Sequence, residues 1–404
     1  MSELTTGCCI AGGGPAGMML GYLLARAGVD VIVLEKHADF LRDFRGDTVH
    51  PSTLEVMRQL GLLDEFLTRP HQEVQRLSAQ VGDDIIHAAD FRRLSIPTKF
   101  IVLMPQWDFL NFLSEKAKAF KGFHLSMQAE ATGLIREGDR VTGLTARTPD
   151  GELTIHADLV VGCDGRTSTV RDLAGLQVED LGAPMDVLWM RLPRQPEDND
   201  GVPLGRAIAG GILVMIPRGD YFQCGFVVPK GRAEEIEARG LDLFRRSIEA
   251  MAPMMRGRTD GLKSWDDVKL LTVGVDRLKT WCAPGLLCIG DAAHAMSPVG
   301  GVGINLAIQD AVATANLLYA PLRAGAVSLA DLQAVQARRE WPTKVTQGIQ
   351  IFIQKHAIAP TLAGASPKAP WIAKLVSAVP PLQGLTARAV GMGARFEKVR
   401  SPAA

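Results

Sequence analysis

Near the start of the chain stands the stretch CCIAGGGPAGMML, residues 8–20, in which Gly12, Gly14 and Gly17 keep a G-x-G-x-x-G spacing. This is the feature that most narrows what the chain can fold into. Residues 7–11 read as a short buried strand. Residues 15–27 read as a helix with Pro15 in its first turn, where a missing N–H costs nothing, and Gly28 is placed to end it. Residues 30–34 read as a second strand, closed by Glu35. Such a unit has a defined chemistry. Gly12 permits a tight turn, Gly14 lets a pyrophosphate approach the backbone, and Gly17 lets helix and strand pack closely. The helix N-terminus faces the phosphates, and Glu35 accepts from ribose hydroxyls. The expected ligand contains an ADP moiety. NAD and FAD both fit; NADP is disfavoured, because a carboxylate at position 35 opposes a 2′-phosphate.

With 404 residues the chain exceeds one ordinary core, which predicts two or three domains. Lys plus Arg and Asp plus Glu both number 44, so no charge imbalance points to nucleic acid. The six cysteines form no C-x-x-C and are expected to be buried, reduced thiols of a cytoplasmic protein. No basic leader or long uncharged apolar run predicts a signal peptide or a transmembrane helix. No histidine or cysteine spacing suggests a metal site, so none is expected.

Two later stretches separate the candidate nucleotides. Residues 158–171, DLVVGCDGRTSTVR, place Asp164-Gly165 at the end of a strand, with Ser168 and Arg171 entering a helix. Residues 286–310, LLCIGDAAHAMSPVGGVGINLAIQD, deliver Gly290-Asp291 just past another strand. Pro298, Gly300, Gly301 and Gly303 follow, and a long helix begins near Ile304. A carboxylate there can bind sugar-alcohol hydroxyls. A glycine loop opening a helix offers amides and the positive end of its dipole. An NAD dehydrogenase has no need of this second anion-binding loop; a flavin does.

These three motifs, in this order, resemble the para-hydroxybenzoate hydroxylase family of FAD-dependent aromatic monooxygenases, over about the first 320 residues. The resemblance implies a Rossmann-like α/β FAD-binding domain with an inserted β-sheet substrate domain and a C-terminal helical segment. It implies roles for Gly12, Gly14, Pro15, Ala16, Gly17, Glu35, Lys36, Arg45, Gln106, Asp164, Gly290, Asp291, Pro298, Gly301, Gly303, Ile304 and Asn305 at the cofactor. Arg45 and Gln106 would meet the ribityl and phosphate region, Asp291 the ribityl chain, and Ile304 and Asn305 the pyrimidine end. Pro298 would flank the reacting edge of the flavin. The implied reaction is hydroxylation of an aromatic or similar electron-rich small molecule through a flavin C4a-hydroperoxide. FAD is non-covalent, NAD(P)H the reductant and O2 the co-substrate. No second G-x-G-x-x-G unit is present, as befits a family whose nicotinamide binds transiently. An epoxidase or reductase acting on a polyene or quinone-type substrate, and a non-catalytic flavin carrier, are the alternatives.

The expected boundaries are 1–73, 98–180 and 272–325 for the FAD-binding domain, 74–97 and 181–271 for the substrate domain, and 326–404 for the helical segment. Runs 212–217 and 221–228 predict a hairpin with a three-residue turn, Arg218-Gly219-Asp220, roofing the flavin. Residues 233–256 predict one helix. Pro342 is expected to break or kink the helix that begins at Ser328. Trp189, Met215, Tyr221 and Gln223 are candidate substrate contacts, with Phe100 as a further pocket residue. Arg45, His50 and Pro298 are catalytic candidates, and His50 is the best candidate acid/base. The tyrosine pair of the resembled hydroxylase is not reproduced, since only Tyr221 lies in the roof region. His294 is expected to bond within the flavin loop. The basic tail reads as a helical cap rather than a peripheral membrane anchor, and either a monomer or a homodimer is compatible with the sequence.

Overall fold

The computed structural model describes residues 2–41, 48–198 and 204–404. The N-terminal unit forms as its pattern dictates. Strand Ser2–Ala11 runs into helix Pro15–Arg26, and strand Val31–Glu35 lies parallel to the first. Gly28, with φ +76°, turns the chain between helix and second strand in the left-handed region that favours glycine. The central sheet places Leu286–Cys288, Gly151–Gly162, Ser2–Ala11, Val31–Glu35 and Phe123–Met127 side by side, all parallel. Parallel strands are covered on both faces and read as continuous apolar runs, which is what CCIA, VIVL, DLVV and LLC are. Helices Pro15–Arg26 and Gly303–Arg323 pack together over this sheet, burying Met18, Leu20, Leu23, Ile308, Val312 and Leu318 in the main core.

A second sheet of seven strands is assembled from distant segments. Its order is Lys269–Leu271, Met185–Pro193, Tyr221–Pro229, Gly211–Arg218, Gly205–Ile208, Arg76–Val81 and Asp84–Asp90. Arg218 pairs directly with Tyr221, so the hairpin closes through two residues, Gly219-Asp220, and not three. The single helix expected over 233–256 is two, Ala233–Ala238 and Leu241–Met251. They are separated at Gly240, whose φ of +91° is not helical.

The C-terminal segment begins with a Ser328/Asp331 capping box and runs as one helix, Leu329–Ile353, straight through Pro342. Proline removes the donor to the carbonyl four residues back; here that carbonyl, Arg338 O, accepts from Arg395 Nη1 at 3.4 Å. The helix is therefore not broken at Pro342, and another part of the chain supplies a donor to the carbonyl left free. Helices Trp371–Ala378 and Pro380–Met392 lie against the edge strand Asp84–Asp90 of the second sheet. The last residues return to the first domain, where Arg26 Nη1 donates to Ser401 O at 2.9 Å and Val399 N to Gln59 Oε1 at 2.9 Å. The C-terminal segment therefore contacts both sheets' layers. All six cysteines are buried and unbridged.

Candidate active site

In the central sheet Ala11 is level with Gly162, and Gly162 with Cys288. Three neighbouring parallel strands thus end together, and the turns that follow them, at Gly12, Asp164 and Gly290, share one edge. Ligands of open α/β sheets bind at such carboxyl ends. The approach is close. A Cβ on Gly12, where φ is +107°, would lie 2.3 Å from Cys163 O, and one on Gly17 would lie 2.0 Å from Gly12 O. Gly14 differs, since a Cβ there would meet no atom within 4 Å. The protein itself gives no reason for glycine at position 14, and a group laid across the helix N-terminus does. Pro15, Ala16 and Gly17 form the first turn of that helix.

Glu35 is buried beside this turn. Its Oε2 accepts from Gly13 N at 3.2 Å and its Oε1 from His37 N at 3.0 Å. Lys36 points to solvent. Asp164 serves the architecture: its carboxylate accepts from Ser168 Oγ and from Val170 N, capping the short helix Thr169–Leu173. Arg171 joins two of the turns, donating to Arg166 O at 2.7 Å and Ala292 O at 3.5 Å. Asp291 remains partly exposed, with Arg166 Nε 3.4 Å away. Gln106 is the half-buried first residue of helix Gln106–Ala117. Arg45 lies outside the described residues.

The loop that follows Asp291 is held from several sides. Gly300 and Gly301 have φ of +80° and +61°, and a Cβ on Gly301 would lie 2.4 Å from Thr48 Oγ1. Thr48 Oγ1 donates to Gly301 O at 2.8 Å. Asn305, in the first turn of Gly303–Arg323 after Ile304, accepts through Oδ1 from His50 N at 2.9 Å and Thr53 Oγ1 at 2.7 Å. His50 is fully buried, and its Nδ1 meets Val390 O at 3.1 Å. Burial pushes its imidazole down to about 4, against the pull of the Val390 and Gly300 carbonyls, so it is neutral near pH 7.

The residues that sequence reasoning missed lie one layer behind. Asp310 is fully buried in Gly303–Arg323. Its Oδ2 accepts from Gly290 N at 3.1 Å and meets His294 Nε2 at 2.6 Å, and its Oδ1 accepts from Arg339 Nε at 2.8 Å. His294 thus bonds within the loop through its backbone, N donating to Gly290 O at 2.9 Å, while its side chain bonds to the helix after the loop. Burial drives the Asp310 carboxyl up, but the His294 and Arg339 charges and hydrogen bonds outweigh it and leave the group lowered. Arg339 Nη1 also reaches Arg395 O at 3.3 Å and Glu397 Oε1 at 3.5 Å, and Arg338 holds Glu397 through two bonds of 2.8 and 3.0 Å. The backbone of the Gly290-Asp291 turn is therefore tied to the C-terminal segment through buried charges. The one signal in the sequence was a lone acid in the apolar run INLAIQDAVATANLL, which needs a partner if buried.

The second sheet closes over this edge with one face. Cross-strand partners share a face. Trp189, Gly225 and Val214 are level, as are Arg191, Gln223 and Ile216. Trp189, Val214 and Ile216 pack with Ile101, Leu103 and Val390, and Val187, Val227 and Trp189 pack with Val299 of the glycine loop. Gly225 makes room for the Trp189 ring, which lies 3.0 Å from where a Cβ would be. Tyr221 is on this face, with the Arg191 guanidinium 5.2 Å from its ring centre. Met215 is not. It is level with Cys224 and buried on the opposite face among Phe222, Phe226, Phe244 and Ile248. The alternation that aims Tyr221 and Gln223 inward aims Met215 outward, which removes it from the pocket. Phe100 packs at the margin of the main core.

The FAD-binding domain family model matches residues 5–348. Over 398 residues the chain is 33% identical to 6-methylpretetramide 4-monooxygenase of Streptomyces rimosus, covering 98% of this chain and 94% of that one. It is 32% identical over 307 residues to rifampicin monooxygenase of Streptomyces venezuelae, covering 75% of this chain and 61% of that enzyme. Among solved structures, the anhydrotetracycline hydroxylase of Streptomyces rimosus superposes with a TM-score of 0.76 at 22% identity, over 97% of this chain and 77% of that chain; this likeness is one of fold. With the three turns, the glycine loop and the roofing sheet in place, the chain belongs to the FAD-binding family of flavin-dependent aromatic monooxygenases.

Proposed function

We propose that this enzyme hydroxylates an extended, oxygen-bearing aromatic molecule beneath the face that carries Trp189, Tyr221 and Gln223. FAD bound along the sheet edge supplies the electron-transfer and oxygen-transfer chemistry, with NAD(P)H and O2 consumed. The chain's own groups bind and orient. The helix beginning at Pro15 faces the pyrophosphate, Glu35 accepts from the adenosine ribose, and Asp291 accepts from the ribityl hydroxyls, with Gln106 and Arg45 alongside. The Gly300–Asn305 turn presents backbone amides to the pyrimidine end, and Pro298 borders the reacting edge. His50, neutral and bound to Val390, holds the loop instead of moving a proton.

The observation that carries the substrate reading is a pair of buried donors. Trp189 Nε1 and Gln223 Nε2 are sequestered from solvent on one face and make no hydrogen bond within the protein. Around Trp189 the face carries Val187, Val214, Ile216 and Val299, and Arg191 and Tyr221 flank Gln223. Leaving such a donor unsatisfied costs about 1–3 kcal/mol, and an aromatic ligand bearing carbonyl or phenolic oxygens would satisfy both. The relatives named for 6-methylpretetramide and rifampicin support this class.

Two further points follow. The last residues of the tail are spent on Gln59, Asn316 and Arg338, which favours a cap over a membrane anchor; no helix among the described residues is long and apolar enough to cross a membrane. The buried, unbridged cysteines favour the cytoplasm.

The test is turnover under isotopically labelled dioxygen with a panel of polycyclic phenols and quinones, 6-methylpretetramide included. One atom of label is expected in the organic product. Label confined to water and peroxide across the panel would remove the hydroxylase assignment. Trp189→Phe and Gln223→Leu should each lower kcat/KM by roughly 5- to 150-fold, the equivalent of about 1–3 kcal/mol. Met215→Ala should lower stability and leave substrate range unchanged.

A further inference from the structure

Beyond Pro342 the C-terminal helix and the π-helical turn Gln354–Ile358 that continues it bury their glutamines. Gln347, Gln350 and Gln354 are each 3% exposed or less, and their spacing of three and four residues puts them on one face. That face meets the segment between Asp291 and the glycine loop. Gln347 Nε2 donates to Asp276 O at 2.7 Å and Ala295 O at 3.1 Å. Gln354 Nε2 donates to Ser297 Oγ at 2.7 Å. Gln350 is the most fully used. Its Nε2 donates to Ser297 O at 2.9 Å and Val299 O at 2.8 Å, and its Oε1 accepts from Ser297 N at 3.2 Å.

Those three bonds straddle Pro298. Proline has no N–H, so this residue cannot be fixed through its own amide, and its two neighbours must be fixed instead. A primary amide is the one neutral side chain that offers two donors and an acceptor in a plane. We propose that Gln350 is a positioning residue for the flavin reaction: it sets Pro298 and the start of the glycine loop against the cofactor from a helix that itself touches no reacting atom. The inference rests on the assignment of Pro298 to the border of the flavin.

The experiment compares Gln350→Leu, Gln350→Glu and Gln347→Leu as holoenzymes. Three readouts are taken: thermal midpoint, the visible spectrum of the bound flavin, and the rate of flavin reduction by NADPH and by NADH in rapid mixing without aromatic substrate. Gln347 serves the same helix seat one turn away from Pro298, so its variant should lower the midpoint and leave the spectrum and reduction rate near wild type. Gln350→Leu should shift the flavin bands and lower the reduction rate of the order of tenfold or more, in line with the sensitivity of reactions to small misplacements. Gln350→Glu keeps the shape but, ionised, turns acceptors towards two carbonyls. Its spectrum should be displaced at high pH and return towards wild type as the carboxyl protonates and regains a donor. Gln350 variants that lose stability with an unchanged spectrum and reduction rate, or that match Gln347→Leu in every readout, would overturn the proposal. A wild-type protein without flavin would instead overturn the cofactor site on which it rests.

Discussion

The N-terminal unit and the C-terminal helix obey opposite rules of burial. In Pro15–Arg26 the apolar residues face inward: Met18, Met19, Leu20, Leu23 and Leu24 are fully buried. In the second half of Leu329–Ile353 the most exposed large side chains are apolar, while Val345, Ile351 and Ile353 are half-buried. Ile349 is 52% and Phe352 63% exposed, while Gln347 and Gln350 lie beneath them against the protein. The difference lies in what each helix covers. The first packs on strand side chains, where removing apolar area from water is the driving term. The second packs on the backbone of a loop whose carbonyls and amides have no ladder to join, and only hydrogen-bonding side chains can satisfy them. Hydrophobic periodicity identifies the inward face in the first case and reverses it in the second.

The largest effect should come from the charges under the second helix. Arg339→Met leaves Asp310 buried without its guanidinium partner, and removal of one member of a buried pair costs about 3–5 kcal/mol. Denaturant titration measures this, and a loss below about 1 kcal/mol would mean that the network contributes little. Because Asp310 is lowered in the folded state, its contribution is present above its unfolded value and is lost as pH falls through the folded one. The pH dependence at the acid end should therefore flatten in the variant. Leu23→Ala, in the first helix, should cost about 2–5 kcal/mol through transfer and cavity terms. It should lower stability without changing the flavin spectrum, so a spectral change at constant stability would count against the division drawn here.

His50 joins two other helices, bonding to Asn305 of Gly303–Arg323 on one side and Val390 of Pro380–Met392 on the other. Its folded value of about 4 lies below an unfolded value near 6.5, so the neutral form is favoured by folding. Its contribution is complete above pH 6.5, declines between 6.5 and 4, and amounts to a difference of order 3 kcal/mol below that. Thermal midpoints of wild type and His50→Asn should converge as pH falls through that window; a constant difference would show that the imidazole does not titrate there. The smallest effects should come from the reversed face. Gln347→Leu should cost about 1–3 kcal/mol, because carbonyls are left unpaired, whereas Phe352→Ser should stay within about 0.5 kcal/mol. The opposite order would restore the ordinary amphipathic reading of this helix.

What was legible in the sequence is what repeats locally. The strand–turn–helix unit with Gly12, Gly14, Gly17 and Glu35, the Asp291 turn, the helix after Gly303 and the Ser328 cap all depend on neighbours a few residues away. The roof hairpin was legible in its strands but not in its turn, because one residue decides between two- and three-residue loops and swaps which face a side chain joins. Met215 went to the pocket by proximity and to the outer core by parity. Pro342 read as a break or kink because the donor that Arg395 brings to Arg338 O comes from 53 residues further along the chain. Asp310, Arg339 and Glu397 are joined only by tertiary contact, so no window of sequence contains their relation.

We propose that three turns at one sheet edge and the glycine loop hold a single, non-covalent FAD. Acid precipitation of the purified wild-type protein, followed by chromatographic quantification of the released nucleotide, tests it most directly. The account predicts a yellow protein that releases one intact FAD per chain into the supernatant. A colourless protein, one releasing NAD in place of FAD, or flavin that stays with the precipitated chain would contradict it.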